Sequence, residues 1–570
     1  MKKHFIPASI SVLILFAFVA CKKDLGNYKY TDVNTITITT DMANVDPQVV
    51  VTNDSIVLRQ NDSLKLDILL SQTQQSDDLS YQWLITQSSS SEVNPAQYIL
   101  GNEKQLRTKI TVPPNIYRLV LKVTDKKTGV SFYKYYSINV DTSPWGGEGW
   151  LVLQEQPTQA GCDLSIITDR DGKGNGTVYN NLYFQANGHK LPLGTYKTAV
   201  LNYSSTLRIQ KVSFFYPNGG TQVRSLDYLD SSNHNGWFYL PPSVVNIKEN
   251  NVFPATGQYE YVINNGQIHF QQVNATSIKT PPIKLSVPFL GTWSELHPSV
   301  LMGNADGTFT VFDKVNRCFF TIWNNSGTPT LVPSARADTA NRHYAPYPAA
   351  SAANLLPTGK GFDLNNMRHN LVYAENVSPM TTTPIYYDCI FRNTPGDSTF
   401  LYQFPGANSG AGGGYANNFA TGRFYLSESK VPGITTASIF AMPTFLTILA
   451  TTYGVFYYVH GTNKNSIYVC SPSYTGTMPA TTTSSLGHSF PVGTIIKAMK
   501  VFKSGYSATG LPSTESKVLV VATDETAIGN GNNVYFFNLT NAGGIITTPF
   551  KVYSGFDNIV DITFKKGLGL

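Results

Sequence analysis

From Trp150 to the C-terminus the sequence returns repeatedly to one form: a short apolar strand, a turn of Gly, Asn or Asp, and a second strand rich in Val, Ile and Tyr. GVFYYVHGTNKNSIYVC (454–470) and KVLVVATDETAIGNGNNVYFFNL (517–539) show it most plainly. In TGQYEYVINNGQIHFQQV (256–273) the pair Asn265-Gly266 has the left-handed preference that a type I′ hairpin turn requires. PSVLMGNADGTFTVFD (298–313) turns in the same way at Asp306-Gly307. A lone hairpin is marginal in water, so hairpins repeated over roughly 430 residues must stack, and blades of about 40–50 residues predict a seven- or eight-bladed β-propeller. No WD or kelch signature is present, and two or more further β-sandwiches are the competing architecture. In a closed ring, the strand at Trp150–Gln154 joins the last blade, which holds GFDNIVDITF (555–564).

Composition agrees with an all-β chain. Only 14% of residues are charged and 12% are aromatic, while polar turn formers are abundant and helix-forming runs nearly absent. The net charge of +6 falls by two if Lys2 and Lys3 leave with a leader, too small an excess to mark a nucleic-acid surface. The five cysteines contain no CxxC. Cys162, Cys318, Cys389 and Cys470 sit in strand-like contexts and read as buried thiols, not as a disulfide framework.

The region before Trp145 has a different pattern. TITIT (35–39), QVVVT (48–52), DSIVL (54–58), SLKLDILL (63–70), LSYQWLIT (79–86), KITV (109–112) and YRLVLKVTDKKTGVSFYKYYSINV (117–140) give about seven short strands, with Trp83 on a central one. That is the outline of an immunoglobulin-like sandwich. Tyr81-Gln-Trp83, followed by Leu119-Val-Leu-Lys-Val-Thr-Asp125 and Gly129, resembles the PKD type of this fold. The resemblance implies that Trp83 packs in the core and that Thr124-Asp125 shape the turn.

At the N-terminus, Lys2 and Lys3 precede an uncharged apolar run, Phe5 to Ala20, shorter than the ~18–20 residues that span a bilayer. This is the layout of a secretory signal peptide. Phe18-Val19-Ala20-Cys21 resembles a bacterial lipobox, which makes Cys21 the expected lipidation site and places the protein on a membrane without spanning it. With the opening CKKDLGNYKYTDVNTITI, the N-terminal quarter resembles the PKD-like lipoproteins of Bacteroidota. The expected organisation is leader 1–20, tether 21–33, PKD-like sandwich 34–142 and propeller 143–570.

Catalytic signatures are missing. The nine histidines form no HxH or HExxH, GYSATG (505–510) has the wrong spacing for a nucleophile elbow, and the Gly-rich stretch 405–418 lacks the Lys-Ser/Thr ending of a phosphate loop. His343 and His369, beside Arg342 and Arg368, read as surface or packing residues. Glu295, Asp363, Asp388 and Glu428 are scattered acids that act together only if the fold brings two of them across one face. DRDGKGNG (169–176) offers Asp169 and Asp171 as oxygen donors, but Lys173 breaks the calcium-loop pattern, so a turn is the expectation and no metal or other cofactor is assigned. Trp237, Trp293 and Trp323 lie beside polar turn residues and are the candidate ligand-stacking residues, with packing between blades as the alternative.

These features point to a non-enzymatic surface lipoprotein facing the cell exterior from the outer membrane. PKD-like lipoproteins are often encoded beside SusC/SusD-like uptake components, so the resemblance implies such partners and a glycan or peptide ligand. The alternative is a propeller hydrolase, a glycosidase or peptidase, whose mark is two or three carboxylates or a histidine clustered on inner-strand ends.

Overall fold

The computed structural model describes residues 33–567, except internal segments of which the longer are 88–98, 273–283, 332–363, 379–385, 406–421, 445–453, 473–479 and 505–511. Cys21, His343, Asp363, the Asp306-Gly307 turn, the interior of DRDGKGNG and nearly all of the Gly-rich stretch lie outside the described residues. The chain divides into two compact units, Met1–Asp141 and Thr142–Leu570. Among the described residues no helix is long and apolar enough to cross a membrane.

The first unit is a sandwich. Its larger sheet has six strands, in the order Val50–Thr52, Ser55–Arg59, Ser131–Asp141, Asn115–Asp125, Leu79–Gln87, Ile99–Gly101. The other strands pair in two ribbons: Ile36–Thr40 with Ile68–Gln72, and Ser63–Leu66 with Leu106–Lys109. SLKLDILL is thus two strands, because Asp67 breaks it where the chain changes partners. Its carboxylate is held at 2.5 Å by Arg107. One apolar cluster joins the layers around Trp83, which is fully buried and stacks on Tyr136 at 6.2 Å. The turn forms as its residues imply: Asp125 Oδ1 accepts from Lys127 N, Gly129 N donates to Asp125 O, and Gly129 takes the left-handed φ of 72°.

The second unit is a β-propeller, with seven sheets among the described residues. In the first, Val178–Tyr179, Gly161–Thr168 and Gly149–Gln156 follow in sequence, and the fourth strand is Asn558–Lys565 from the far end of the chain. It pairs with Gly149–Gln156 from Gly149↔Lys565 to Glu155↔Asn558, the partnership expected for a closed ring. The remaining sheets begin in chain order at Lys197, Ile247, Leu301, Asn370, Phe440 and Ile495, with one exchange: Ala480–Thr481, from within the sixth, pairs in parallel with Gly422–Leu426 of the fifth.

Strand alternation explains how each sheet joins two neighbours. In the sixth sheet Phe456 and Tyr458 pack towards the fifth, while Tyr457 and Val459 pack towards the seventh. In the first sheet Leu151 and Leu153 face the second, and Trp150 and Val152 face the seventh. Seven apolar seams result, and the one built on Trp150, Val520, Phe536 and Ile562 returns from the seventh sheet to the first. The four described cysteines are buried and form no disulfide among the described residues. Each belongs to a different seam, so none meets another. Asn265 (φ 46°) and Gly266 (φ 71°) form the expected two-residue turn between Asn264 and Gln267.

Candidate functional site

The strands Lys197–Ser204, Ile247–Phe253, Asn370–Asn376, Ile495–Val501 and Asn558–Lys565 begin or complete their sheets as edge strands; Lys197–Ser204 packs beside Ile247–Phe253 and Asn558–Lys565, Ile495–Val501 beside Asn558–Lys565, and Asn370–Asn376 beside Leu301–Met302. They carry charged groups that sequence reasoning passed over. Lys197 Nζ lies 2.6 Å from Glu249 Oε2, joining the second and third sheets. Asp561 accepts from the backbone N of Thr198 at 2.9 Å and feels the ammonium groups of Lys500 and Lys197. Burial pulls the Lys197 ammonium down, but Glu249 and Asp561 more than offset that and hold it above its ordinary value. For Asp561 burial prevails, and its carboxyl is raised despite both lysines.

A second group lies at the C-terminal ends of the inner strands. Lys503 Nζ meets Glu375 Oε1 at 2.5 Å and the carbonyl of Asn376 at 2.9 Å. Glu375 Oε2 also accepts from Tyr373 Oη at 2.7 Å and from Met442 N at 3.2 Å. Directly across the strand pair from Glu375 stands Asp388, 1% exposed, with Gln403 Nε2 donating to it at 2.9 Å. Burial raises the Asp388 carboxyl to about 7, against the lowering effect of Gln403 and Lys503. The inner wall therefore alternates in sign: Glu249, Lys197, Asp561 and Lys500, then Lys503 and Glu375. Glu249 and Glu375 each have an ammonium partner, and Asp561 feels two ammonium groups without a direct pair among the described contacts.

The described acids among those singled out in the sequence, Glu295, Asp388 and Glu428, do not gather. Glu295 pairs with Lys314 on the surface, and Asp388 is enclosed in the fifth sheet. Glu428 caps a turn, where burial pushes its carboxyl up and the donors of Gly433 and Thr435 bring it below the ordinary range. His369 is stacked on Phe400 at 4.7 Å, and burial lowers its pKa. Among the described residues no three His, Cys, Asp or Glu side chains form a group able to hold a metal ion.

The tryptophans require correction. Trp237 and Trp293 are each 6% exposed and fill seams, so neither offers a face for stacking. Trp237 lies in the seam between the second and third sheets, above Gly220, and its Nε1 donates to Ser232 Oγ. Trp293 lies between the third and fourth, with Phe289 and Phe320 as neighbours, and its Nε1 donates to Gln267 Oε1. Neighbouring polar residues had marked them as surface groups, but an indole seeks one polar partner when buried, and here those residues supply it. Trp323 falls within the strand Cys318–Asn325, paired with Thr308 and Thr330; its side chain lies outside the described set. A usable signal for the inner wall did exist: single charges set within strand runs, as in NIVDITFK and LVYAEN.

Away from the inner wall lies a cleft of about 460 Å³ between the segment after the first sheet and the outer strands of the second. Tyr183 Oη donates to Asp230 Oδ1 at 2.8 Å, and His189 Nε2 lies 3.2 Å from Oδ2. Tyr183 comes from the short helix Leu182–Asn187, whose first amides donate to the buried Asp163 Oδ1. On the opposite side Tyr216 lies against Gly219, where any Cβ would collide with its ring, and its hydroxyl reaches Thr221 Oγ1 at 3.2 Å.

Comparison with known proteins adds three findings. The model of the PKD-like family matches residues 21–194, under a third of the chain, which takes in the sandwich and the propeller's opening strands. Among solved structures, a quinonprotein alcohol dehydrogenase-like protein from Bacteroides thetaiotaomicron aligns at 12% identity over 89% of this chain and 97% of its own, with a TM-score of 0.36. An apocarotenoid oxygenase variant from Synechocystis aligns at 10% identity over 75% and 94% (TM-score 0.36), and the Cps50 (Swd1) β-propeller domain from Myceliophteria thermophila at 8% over 64% and 88% (TM-score 0.30). No curated protein matches the chain. The chain is thus similar to the PKD-like family in its N-terminal part.

Proposed function

We propose that the protein is a lipid-anchored binding module of the outer-membrane surface: Cys21 carries the lipid, the sandwich follows as a spacer in chain order, and the propeller binds a glycan or peptide for a SusC/SusD-like uptake system. The observation that carries the binding reading is the pairing on the inner wall. Lys197, Lys500 and Lys503 answer Glu249, Asp561 and Glu375, an arrangement that orients polar groups and neutralises the acids a hydrolase needs free. The family match over residues 21–194 supports the PKD-like part of this reading, and the lipobox resemblance at Phe18-Val19-Ala20-Cys21 supports the anchor.

Membranes from the native cell, extracted in mild detergent and pulled down through a C-terminal tag, test this reading. A transporter and its SusD-like lid in stoichiometric amounts are expected. Protection of the protein from protease on intact cells, or no loss of lipid label in Cys21→Ser, would sink the surface-lipoprotein assignment. The hydrolase reading has one observation in its favour: Asp388, held at about 7, faces Glu375 across a strand pair. Turnover of any glycan or peptide that disappears in both Asp388→Asn and Glu375→Gln would replace the binding reading with that one.

A further inference from the structure

The cleft beside the second sheet has features that structural packing alone does not require. Tyr216 closes the strand Ile209–Tyr216 and meets Gly219 across the turn Pro217-Asn218, where Asn218 takes φ 63°. Consecutive strand residues face opposite ways. Gly219 therefore makes room for the Tyr216 ring on one side, while Gly220 makes room for Trp237 on the other. The Tyr216 ring is thus laid down in one orientation and fixed at its far end by Thr221. It lines the cleft without being sealed inside a seam.

Facing it is an acid that is fixed but not used up. Asp230 is 40% exposed; Tyr183 Oη donates to one carboxylate oxygen, and His189 Nε2 lies 3.2 Å from the other. A carboxylate has about four acceptor directions, so two remain open to a ligand. His189 is held in place by the edge of Tyr183 at 5.5 Å, yet is itself 60% exposed and reachable. The sole fixed cation of the lining, Lys190, is directed to Gln156 and Asp163 behind the wall.

From these groups we infer that the cleft binds a neutral oligosaccharide, with one sugar face on the Tyr216 ring and adjacent hydroxyls donating to Asp230. The chemistry favours sugar over peptide. A flat ring beside a planar acceptor matches a pyranose, which presents an apolar C–H face and hydroxyls at its rim. The lining has no deep apolar slot for a peptide side chain, with Pro192 its one aliphatic member. Asp230 is the one carboxylate of the lining and Lys190 is turned to Asp163, which disfavours an anionic ligand. The volume of about 460 Å³ suits two or three sugar units. This inference rests on the binding-module reading and gives it a ligand class and a place.

The full chain, purified in detergent, is titrated calorimetrically with neutral hexasaccharides of glucose, mannose, galactose and xylose, and separately with a casein-derived peptide mixture. At least one oligosaccharide is expected to bind. Tyr216→Ala should weaken it tenfold or more, Asp230→Asn severalfold, and Tyr216→Phe, which keeps the ring, less than threefold. His189→Ala, an exposed change, carries the test should Tyr216→Ala fail to fold; a severalfold loss is expected. Oligosaccharide binding indifferent to all these variants overturns the cleft assignment and leaves the binding module standing. Peptide binding without sugar binding overturns the ligand class in the same way. Binding of neither overturns the cleft proposal, while the pull-down of native membranes judges the binding module separately.

Discussion

The two units hold themselves together by different rules. The sandwich has one apolar cluster, centred on Trp83 and shared by its strands other than Val50–Thr52, whose side chains lie outside the described set. The propeller has seven seams, each shared by two neighbouring sheets, and an inner wall of paired charges. A defect in the sandwich core is therefore felt throughout that unit. In the propeller a defect is local unless it strikes the strand that links the two ends of the chain. Ending the chain at residue 557 removes Ile559 and Ile562 from the last seam and the fourth strand from the first sheet. The expected result, the largest in this series, is loss of the propeller's cooperative transition in calorimetry while the sandwich transition survives. Two unchanged transitions would show that the pairing of Gly149–Gln156 with Asn558–Lys565 is dispensable.

Trp83→Ala applies the converse test. Removing a fully buried indole costs about 3–5 kcal/mol, and the loss should fall on the sandwich transition alone. Trp237→Ala should cost a similar amount in the propeller and leave oligosaccharide binding in the refolded fraction intact, since its ring lies in a seam. Equal shifts of both transitions by Trp83→Ala would mean that the units do not melt independently.

A buried carboxyl offers a test within the propeller alone. Asp388 keeps its proton to about pH 7 in the folded protein, whereas an ordinary aspartyl loses it near 4. Between those values the folded state binds more protons than the unfolded one. This group's contribution therefore falls as pH rises from about 4 to 7 and is level above that. Asp388→Asn keeps the shape without the titration. Relative to wild type it should be nearly neutral at pH 4.5 and stabilising at pH 7.5, by up to about 4 kcal/mol at 1.36 kcal/mol per unit. Urea titrations of both proteins at the two pH values give the difference, and an unchanged difference would mean that Asp388 titrates normally.

How much of this was legible beforehand depended on how local the cause was. Hairpins, the Asn265-Gly266 turn and the strand with Trp83 follow from residue type and period-two patterning, and they formed where expected. The alliance of Trp150 with the last strands was readable because a ring needs its ends to meet. The tryptophan sites were not, because whether an indole beside Ser or Gln is exposed depends on a sheet far away in sequence. The inner wall was missed for the same reason: Lys197, Glu375 and Asp561 are ordinary strand charges until segments far apart in sequence bring them their partners. The Tyr216 platform left a trace, the Gly219-Gly220 pair after a turn, but only the folded hairpin shows which ring each glycine accommodates.

Lys565 gives a further and smaller test of the link between the chain ends. Its ammonium is fully buried and donates to Gly146 O and Ser225 O, both at 2.7 Å, joining the last strand to two other segments of the propeller. Burial lowers its pKa to about 7. Lys565→Met leaves those carbonyls without their donor and should cost about 2–3 kcal/mol, confined to the propeller transition. A neutral outcome would mean that water takes the place of the ammonium.

The smallest expected effect compares one ion pair from each unit. Lys126–Asp78 in the sandwich lies at 3.2 Å with both side chains more than half exposed. Lys197–Glu249 on the propeller's inner wall lies at 2.6 Å, with side-chain exposures of 35% and 18% and Asp561 close by. Exposed pairs contribute about 0–1 kcal/mol, and 1 M salt, with a Debye length near 3 Å, screens them. Double-mutant cycles with Met and Gln replacements should give a coupling below about 0.5 kcal/mol for Lys126–Asp78, vanishing in high salt, and roughly 1 kcal/mol for Lys197–Glu249. The second coupling should keep most of its size in 1 M salt, because the neighbouring strands exclude ions and Asp561 still faces the ammonium. If salt abolishes both alike, the wall is as wet as the surface, and its lysines would be as open to an anionic ligand as any exposed one.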